Sequence, residues 1–347
     1  MRAGCAAERA TATRRGRALL RAREHFTTGG QLKLPSQIEI VEVGPRDGLQ
    51  SLAQRYPSEI KNEMIDALAG TGLSRIEATS FMRPEMVPQL SDAEAVWSGL
   101  RERPGCTFRA LVANRRGMER ALAAGVQEVV LLATASERYV QLNQNTSVAG
   151  NLAALESAVE AAQGRPVHLV GAIAMSIFCA YEGPVALDRT LSIVRRYWEM
   201  GVKEVSLATS TGVEGPAEVY RLVAGALDAL PDLKVGVHLH NANGMALANA
   251  MAAMQAGAMA IEGSIGGIGG GIRLPGGEQD HGNVATEDLV HLCSELEVET
   301  EVNLPELLEA SKKIEAMLGI PFRSYASRGA TKEGLMASAR VAGWEGK

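Results

Sequence analysis

The stretch Lys234-Val-Gly-Val-His-Leu-His-Asn-Ala-Asn-Gly244 places two histidines two residues apart in a run whose alternating apolar residues predict a β-strand. Because strand side chains alternate between two faces, His238 and His240 point to the same face. Two neutral imidazoles held in this way are half of a metal site. Two hydrogen-bonded histidines on a sheet face are the alternative, so residues from other strands have to distinguish the two.

Similar short aliphatic runs recur along the chain, and each is followed by an amphipathic segment of helical length. The first such helix begins at Ser58 and ends at Gly70, a typical C-terminal signal. Eight β-α units in about 260 residues favour a closed (β/α)8 TIM barrel over an open doubly wound sheet. The predicted strands are Ile38–Val43, Ser74–Ser80, Phe108–Asn114, Glu128–Ala135, Pro166–Ile177, Glu204–Thr209, Lys234–His240 and Ala258–Ile265.

The predicted barrel occupies residues 38–300, with distinct segments on either side. Residues 301–347 predict extra C-terminal helices, Asn303–Leu318 and Lys332–Ala342, packed on the barrel or against a neighbouring subunit. Residues 1–37 carry eight Lys or Arg against two Glu, so we expect a basic, disordered arm or an over-extended start, with an organellar transit peptide as the alternative.

Composition limits the partners and the compartment. The part of the chain after the arm is acidic and contains no groove-reading module, so we expect no nucleic-acid partner. No apolar run reaches the roughly 18 to 20 residues that cross a bilayer, so we expect no membrane span. The four cysteines are scattered and form neither a metal-type pair nor a disulfide framework. We therefore predict a cytoplasmic protein, or an organellar matrix protein if the arm is a transit peptide.

Polar residues crowd where the predicted strands end, which is where barrels carry their chemistry. Barrel closure makes the seventh, eighth and first strands neighbours, so the histidine pair, Asp47 and Asn283 converge. Divalent cations take carboxylate and amide oxygens beside imidazole nitrogens. The sequence therefore predicts a metal site of Asp47, His238, His240 and Asn283, although Asp47 in Pro-Arg-Asp-Gly could instead be a turn residue.

Arg46 precedes Asp47 and reaches the same barrel mouth. Its fixed, always-charged fork suits an enolate or carboxylate oxygen, with a strand-end salt bridge as the alternative. Glu77 lies in the middle of a strand, where an unpaired carboxylate is costly to bury. We expect Glu77 to face Arg46 inside the barrel and to orient it.

A glycine-rich stretch, Gly263–Gly277, follows the last predicted strand. It lacks the G-x-G-x-x-G spacing and does not open a first β-α-β unit, so a dinucleotide loop is disfavoured. Long glycine-rich loops close over substrates and exclude water, so we predict a mobile lid.

Five stretches together resemble the 3-hydroxy-3-methylglutaryl-CoA lyase family, over about residues 38–318. The first stretch is the most specific to that group. They are Ile40-Val-Glu-Val-Gly-Pro-Arg-Asp-Gly-Leu-Gln50, Ile76-Glu-Ala-Thr-Ser-Phe81, Tyr181-Glu-Gly183, the His-x-His strand with Gly244-Met-Ala-Leu-Ala-Asn249, and Gly282-Asn-Val-Ala-Thr-Glu-Asp-Leu289.

The resemblance implies a metal-dependent lyase acting on an acyl-CoA thioester. Mg²⁺ or Mn²⁺ is implied at the four predicted ligands, with Arg46 stabilising the thioester enolate, Glu77 supporting Arg46, and His238 shuttling a proton. The implied reaction is retro-Claisen cleavage to acetyl-CoA and a keto acid, in which metal coordination lowers the pKa of the substrate hydroxyl. We also expect a homo-oligomer, a dimer or a tetramer.

Departures from the family pattern concern proton delivery. The lid reads Gly267-Ile-Gly-Gly-Gly271, with Gly271 at the family's cysteine and about three extra residues in the loop. Ser206-Leu-Ala-Thr-Ser210 has Ala208 in place of an aspartate, and Asn241 also replaces an aspartate. Three residues of the lengthened loop could replace the missing proton donor, namely Glu278, Asp280 and His281.

These departures leave other functions open. A citramalyl-CoA or longer branched 3-hydroxyacyl-CoA lyase, a condensing synthase, and a non-catalytic thioester-binding descendant are the alternatives. Synthases of the superfamily typically read Leu-Arg-Asp-Gly-Glu-Gln, whereas this chain reads Pro45-Arg-Asp-Gly-Leu-Gln50. Metal hydrolases with a His-x-His pair normally carry it after the first strand, and here it lies on the seventh.

Overall fold

In the computed structural model, which describes residues 33–270, 282–329 and 331–341, eight parallel strands close into a barrel. The predicted (β/α)8 barrel is therefore confirmed. The barrel strands are β1 (Glu39–Glu42), β2 (Arg75–Ser80), β3 (Thr107–Val112), β4 (Glu128–Thr134), β5 (His168–Ala174), β8 (Glu204–Thr209), β9 (Lys234–Leu239) and β10 (Ala260–Gly263). Around the ring their order is β1, β10, β9, β8, β5, β4, β3, β2, with β1 paired to both β10 and β2.

Helices surround the barrel and connect its strands. Several begin at a side-chain cap: Asn114, Ser136 and Ser147 each accept a hydrogen bond from a backbone N–H in the first helical turn. The helices are α1 (Ser58–Ala69), α2 (Ala93–Ser98), α3 (Arg115–Ala123), α4 (Glu137–Gln144), α5 (Val148–Ala162), α6 (Leu187–Glu199), α7 (Pro216–Ala229), α8 (Ala246–Ala256), α9 (Thr286–Glu295), α10 (Leu304–Leu318), α11 (Tyr325–Arg328) and α12 (Lys332–Val341).

The fifth barrel strand is shorter than the predicted Pro166–Ile177. It ends at Ala174 because Met175 has a φ of 55°, in the left-handed region that a strand does not use. The chain then forms a two-stranded antiparallel hairpin, β6 (Phe178–Cys179) and β7 (Gly183–Pro184). Apolar composition continues through this turn, which is why the sequence pattern overran it.

Charged side chains cross the barrel interior near its amino-terminal end. Arg75 on β2 forms an ion pair with Glu204 on β8, and these two strands lie directly opposite each other in the ring. Arg75 also lies 3.4 Å from a carboxylate oxygen of Glu128 on β4. These contacts show which residues of each strand face inward, because side chains alternate with period two.

The C-terminal helices pack against the barrel. Tyr56 donates its hydroxyl hydrogen bond to the carbonyl of Leu318 at 2.8 Å, and the Arg323 backbone N–H donates to the carbonyl of Gly266 at 2.8 Å. These contacts join the end of α10 and the segment after it to the loops at the barrel mouth.

The chain divides into two units, residues 1–34 and 35–347. Most of the predicted arm, residues 1–32, lies outside the described residues, so the arm, the exact domain limits, the compartment and the oligomer stay predictions. Within the described ranges, none of the helices has both the length and the apolar character that spanning a bilayer requires.

Candidate active site

A tight turn after β1 places two charged side chains at the barrel mouth. Residues Gly44–Gly48 form a π-helical turn in which the backbone N–H of Asp47 donates to the carbonyl of Val43 at 2.7 Å. Glycine is required at position 48, because a Cβ there would lie 2.6 Å from the Cγ1 of Ile268. Arg46 is thereby buried and Asp47 half-buried above the barrel interior.

The two histidines of β9 point into the same mouth. Their Nε2 atoms lie 3.1 Å apart, and Nε2 of His238 lies 3.8 Å from a carboxylate oxygen of Asp47. One donor atom from each of Asp47, His238 and His240 can be chosen so that all three lie within 4.8 Å of one another. The structure therefore brings together the three residues predicted as charged or imidazole ligands.

Asn283 completes this cluster from the segment that follows the lid. A β-bridge pairs Asn283 with His240, and its side-chain amide donates to Asp47 at 2.8 Å and to the carbonyl of Ile268 at 3.1 Å. Its Oδ1 is buried and has no hydrogen-bond partner among the described residues. A buried amide oxygen without a donor is costly unless a ligand satisfies it.

The donor set fits a divalent cation. Ligand bonds of about 2.1 Å at a right angle place neighbouring donor atoms about 3 Å apart, and the two imidazole nitrogens have that separation. One carboxylate, two imidazoles and one amide oxygen suit Mg²⁺, Mn²⁺ or Zn²⁺. The unpartnered oxygen of Asn283 adds an independent observation in favour of a cation at this position.

Arg46 is held by two carboxylates. Its Nε donates to Glu77, which is fully buried on β2, and its Nη1 lies 2.6 Å from an oxygen of Asp47. The second oxygen of Glu77 lies 2.8 Å from Nη2 of Arg109 on β3. Glu77 thus faces Arg46 inside the barrel, which restricts the guanidinium to one orientation.

The chain of ion pairs continues to the histidines. Arg109 lies 2.6 Å from Glu262 on β10, and the other oxygen of Glu262 lies 3.0 Å from Nδ1 of His238. Since an ionised carboxylate can only accept, Nδ1 of His238 carries the proton and its Nε2 keeps a lone pair toward Asp47. Together with the contact between His238 and Asp47, these pairs form a closed ring of polar contacts around the mouth.

Burial and charge act in opposite directions on these groups. Burial alone would raise the pKa of Asp47, but the positive charges of Arg46 and the two histidines hold that pKa well below its usual range. Burial would likewise raise the pKa of Glu262, and Arg109 and His238 lower it strongly. Burial would lower the pKa of His238, whereas its hydrogen bond to Glu262 raises it above the ordinary value.

The sequence reasoning missed Arg109 and Glu262. Both are charged residues within otherwise apolar strands, Thr107–Val112 and Ala260–Gly263. A charge in such a strand has to find a buried partner, so the same signal that identified Glu77 was available for these two residues. Each is in register with a site residue on the adjacent strand, Arg109 with Glu77 and Glu262 with His238, whereas the contact between Arg109 and Glu262 joins strands distant in sequence.

Gly271, at the position of the family's cysteine, lies outside the described residues, as do the three residues proposed to replace the missing proton donor, Glu278, Asp280 and His281. Ala208 is in register with His238 on the adjacent strand. The side chain of Asn241 accepts a hydrogen bond from the backbone of Ala246 at 3.1 Å. Asn241 therefore contacts the start of α8.

An arginine-rich cavity of about 540 Å³ lies beyond the carboxyl ends of β2 and β3. Arg115 and Arg120 each have a carboxylate partner, whereas Arg83 and Arg116 have none among the described residues. The cavity therefore presents unneutralised positive charge at the same end of the barrel as the metal ligands. Its cationic lining consists of Arg83, Arg115, Arg116 and Arg120, against one acidic side chain, Glu85.

Comparison with known proteins relates the chain to hydroxymethylglutaryl-CoA lyases. The HMGL-like family model matches residues 37–314. The mitochondrial hydroxymethylglutaryl-CoA lyase of Macaca fascicularis is 37% identical over 299 residues, which cover 86% of this chain and 90% of that protein. A Pseudomonas aeruginosa protein named 3-hydroxy-3-isohexenylglutaryl-CoA/hydroxy-methylglutaryl-CoA lyase is 37% identical over 308 residues, covering 89% of this chain and 100% of its own length.

Solved structures show the same likeness. An HMG-CoA lyase from Acinetobacter baumannii, in complex with coenzyme A and 3-methylmalate, superposes with a TM-score of 0.81 at 32% identity, covering 86% of this chain and 96% of that one. The similarity therefore extends over the whole barrel.

Proposed function

The chain belongs to the HMGL-like family, and from that premise we propose that it is a divalent-metal-dependent carbon–carbon lyase acting on a 3-hydroxyacyl-CoA. The thioester would be of the 3-hydroxy-3-methylglutaryl type, and the products acetyl-CoA and a keto acid. The observation that carries the proposal is the convergence of Asp47, His238 and His240 beside Arg46 at the barrel mouth.

The metal ligands proposed are Asp47, His238, His240 and Asn283. A divalent cation bound there would lower the pKa of the substrate hydroxyl and favour the alkoxide from which the carbon–carbon bond breaks. Glu262 holds the proton on Nδ1 of His238 and so directs Nε2 toward the site. Orienting hydrogen bonds of this kind fix the ring before substrate arrives.

Arg46 is proposed to stabilise negative charge that develops on the thioester oxygen. Glu77 and Asp47 fix the guanidinium of Arg46 in place. The side chain therefore does not have to reorient when the enolate forms, and no free energy is lost to that reorientation. A guanidinium stays charged at any working pH and directs several N–H groups in fixed directions. Arg46 would thus act as a preorganised oxyanion partner.

Proton movement is proposed to involve His238. Glu262 holds the proton on Nδ1, so Nε2 is the nitrogen that can take the substrate hydroxyl proton, and it can do so only while it is not bound to the cation. The donor that protonates the departing enolate is proposed among the lid residues Glu278, Asp280 and His281, because Ala208 carries no titratable group.

The coenzyme portion is proposed to reach the arginine-rich cavity. Coenzyme A carries several phosphoryl charges, and arginine is well suited to bind phosphate oxygens. Arg83 and Arg116 are exposed there without carboxylate partners among the described residues. The Acinetobacter relative was solved with coenzyme A bound, which supports a coenzyme site on this fold.

A panel of 3-hydroxyacyl-CoA thioesters tests the proposal. The purified protein would be incubated with each thioester in the presence of Mn²⁺ or Mg²⁺ and again with a chelator, and acetyl-CoA would be measured. We expect release from at least one thioester in the metal-containing reactions and loss of release with the chelator. No acetyl-CoA from any thioester would overturn the lyase assignment and favour a non-catalytic thioester-binding protein.

A further inference from the structure

The inward-facing positions of three neighbouring barrel strands can be assigned from the charged contacts near the amino-terminal end. Glu128 on β4 and Glu204 on β8 both approach Arg75 across the barrel interior, and His168 on β5 lies 3.1 Å from Glu204. Because strand side chains alternate, every second residue after these also faces inward. Thr134, in register with Ala174, also faces inward but is buried. The partly exposed inward residues toward the mouth are Leu132, Ala172, Ala174 and Ala208.

These four residues, named here the alanine hollow, lie beside the metal ligands. Ala208 is in register with His238, and Leu132 is in register with Ala172. The pairing of Ile173 with Leu207 places Ala174 at the level of Ala208. The alanine hollow therefore begins one strand away from His238 and extends across β8, β5 and β4.

The exposed surface of the alanine hollow is apolar. All four of its residues are partly exposed, whereas Thr134 and Ser206, inward-facing residues of the same strands, are buried. Three of the four side chains are single methyl groups, so a leucine at any of these positions would extend further into the barrel interior. Leu132 and Ala172 pack on a buried apolar floor of Leu111, Val130 and Val170.

The rim of the alanine hollow is fixed by hydrogen bonds. The left-handed turn at Met175 is held by Ser210, whose hydroxyl accepts from the Met175 backbone N–H at 2.8 Å. The Ser176 backbone N–H donates to the carbonyl of Ala208 at 3.3 Å. A non-glycine residue in this conformation persists only where its surroundings enforce it, so the hollow is preformed.

We propose that the alanine hollow binds the branch on the third carbon of the acyl group, and that this branch is an alkyl or alkenyl chain longer than methyl. This inference rests on the proposed function, which places the third carbon and its hydroxyl beside His238. A carboxylate does not suit the alanine hollow, since its four side chains carry neither a cation nor a hydrogen-bond donor and the neighbouring hydroxyls of Thr134 and Ser206 are buried. The alanine hollow extends over three strands spaced about 4.8 Å apart, a width that one methyl group does not span.

With a longer branch, the reaction breaks the same bond and moves the same protons as with a methyl branch. The bond between the second and third carbons breaks, the hydroxyl proton leaves, and the third carbon becomes the ketone carbon of a 3-oxo acid that keeps the branch. The second carbon, released with the thioester as an enolate, takes up one proton and gives acetyl-CoA. No further reactant is needed.

Binding of two non-cleavable thioesters tests the inference apart from turnover. 3-Methylglutaryl-CoA and 3-hexylglutaryl-CoA lack the hydroxyl, so their dissociation constants can be measured by calorimetry on the wild-type protein. We expect the hexyl compound to bind at least about tenfold more tightly, since even one methylene in an apolar pocket changes discrimination by about tenfold or more. Equal or weaker binding of the hexyl compound would overturn the inference.

A larger side chain in the alanine hollow should remove the preference for the hexyl compound over the methyl compound. Ala172→Leu is expected to reduce the hexyl-to-methyl affinity ratio to near one, and Ala208→Leu serves the same purpose if the first variant does not fold. Ala123→Leu, on the exposed face of α3, is the matched control and should keep the wild-type ratio. A folded Ala172→Leu protein that retains the full preference would contradict the assignment.

Cleavage separates this inference from the proposed function. If neither 3-hydroxy-3-methylglutaryl-CoA nor its 3-hexyl homologue yields acetyl-CoA, the lyase assignment fails while the binding ratio still tests the hollow. If the methyl substrate alone is cleaved and the hexyl analogue does not bind, the inference on the alanine hollow fails and the lyase assignment stands.

Discussion

The carboxylate of Glu262 lies 3.0 Å from Nδ1 of His238, on the side of the imidazole that faces away from Asp47. This contact fixes the tautomer of His238 without occupying the nitrogen that would bind a cation. Glu262 in turn lies 2.6 Å from Arg109, so the orientation of His238 depends on a charge on another strand. The consequences for metal affinity are measurable.

Glu262→Gln is expected to weaken Mn²⁺ binding by about 10- to 100-fold, the usual effect of removing a hydrogen bond that orients a metal-bound histidine. Calorimetric or paramagnetic titration of Mn²⁺ would measure the change. Glu119→Gln, an exposed glutamate on α3, is the matched control and should bind Mn²⁺ like the wild type. Unchanged affinity in Glu262→Gln would show that the contact does not support a metal ligand.

Asp47→Asn is expected to weaken Mn²⁺ binding more than Glu262→Gln does, because it removes the single carboxylate of the proposed ligand set. His238→Asn separates ligation from proton transfer. If His238 is a ligand, its replacement lowers Mn²⁺ affinity as well as acetyl-CoA release. Loss of release with full metal affinity would assign His238 to proton transfer alone.

Arg109→Met is expected to destabilise the fold by about 3–5 kcal/mol, because it leaves the buried carboxylates of Glu77 and Glu262 without their shared cation. Urea denaturation would measure the free energy of unfolding. Arg101→Met, at a largely exposed arginine, should change that free energy by less than about 1 kcal/mol. A stable Arg109→Met protein would show that these carboxylates find other partners.

Glu42 gives a pH dependence of stability. Burial raises the pKa of this carboxyl to about 8, although Thr286 and two backbone N–H groups donate hydrogen bonds to it. The folded state thus holds a proton that the unfolded chain, with an ordinary pKa near 4.5, releases. This contribution to stability is complete below pH about 4.5 and is lost as pH rises toward 8.

Glu42→Gln should remove that contribution, which has a slope of at most about 1.4 kcal/mol per pH unit. Urea denaturation between pH 5 and 8 would compare the two proteins. Glu287, whose pKa burial raises to about 7, remains in both proteins, so a residual slope is expected in Glu42→Gln. Equal slopes in wild type and Glu42→Gln would contradict the assignment to Glu42.

Arg83→Ala and Arg116→Ala should each weaken coenzyme A binding by up to about fivefold, since exposed ion pairs contribute about 0.2–1 kcal/mol. The difference should shrink at high salt, because these charges are exposed to solvent. Fluorescence titration with coenzyme A at two salt concentrations would measure both effects. Arg101→Ala is the control, and equal affinities in all variants would remove the cavity from the coenzyme site.

The fold was predictable from the sequence because each β-α unit carries its own local signals. β8, Glu204–Thr209, was predicted residue for residue, since an alternating run and clear turn residues define it. The fifth strand was predicted too long, because the left-handed conformation of Met175 is imposed by Ser210 on a different strand. The local amino-acid composition does not predict a hydrogen bond to a residue on a different strand.

The candidate site was predictable where ring closure alone brings residues together. Asp47, His238, His240 and Asn283 converge as the order of the strands requires. Glu262 lies in register with His238 on the adjacent strand, so ring closure also brings these two residues together. The pair between Arg109 and Glu262 was not predictable, because it joins nonadjacent strands across the barrel interior. Their charges could have been noted in the sequence, but their pairing requires three-dimensional coordinates.

The ion pair between Arg75 and Glu204 closes the barrel interior at its amino-terminal end. Joining opposite walls at the amino-terminal end, these side chains separate the interior from the cavity that lies beneath it. An acyl chain would therefore enter the barrel interior at the opposite end, through the opening beside Arg46 and His238. A coenzyme lying across that opening would block it, so the keto acid would leave only after the thioester had moved aside.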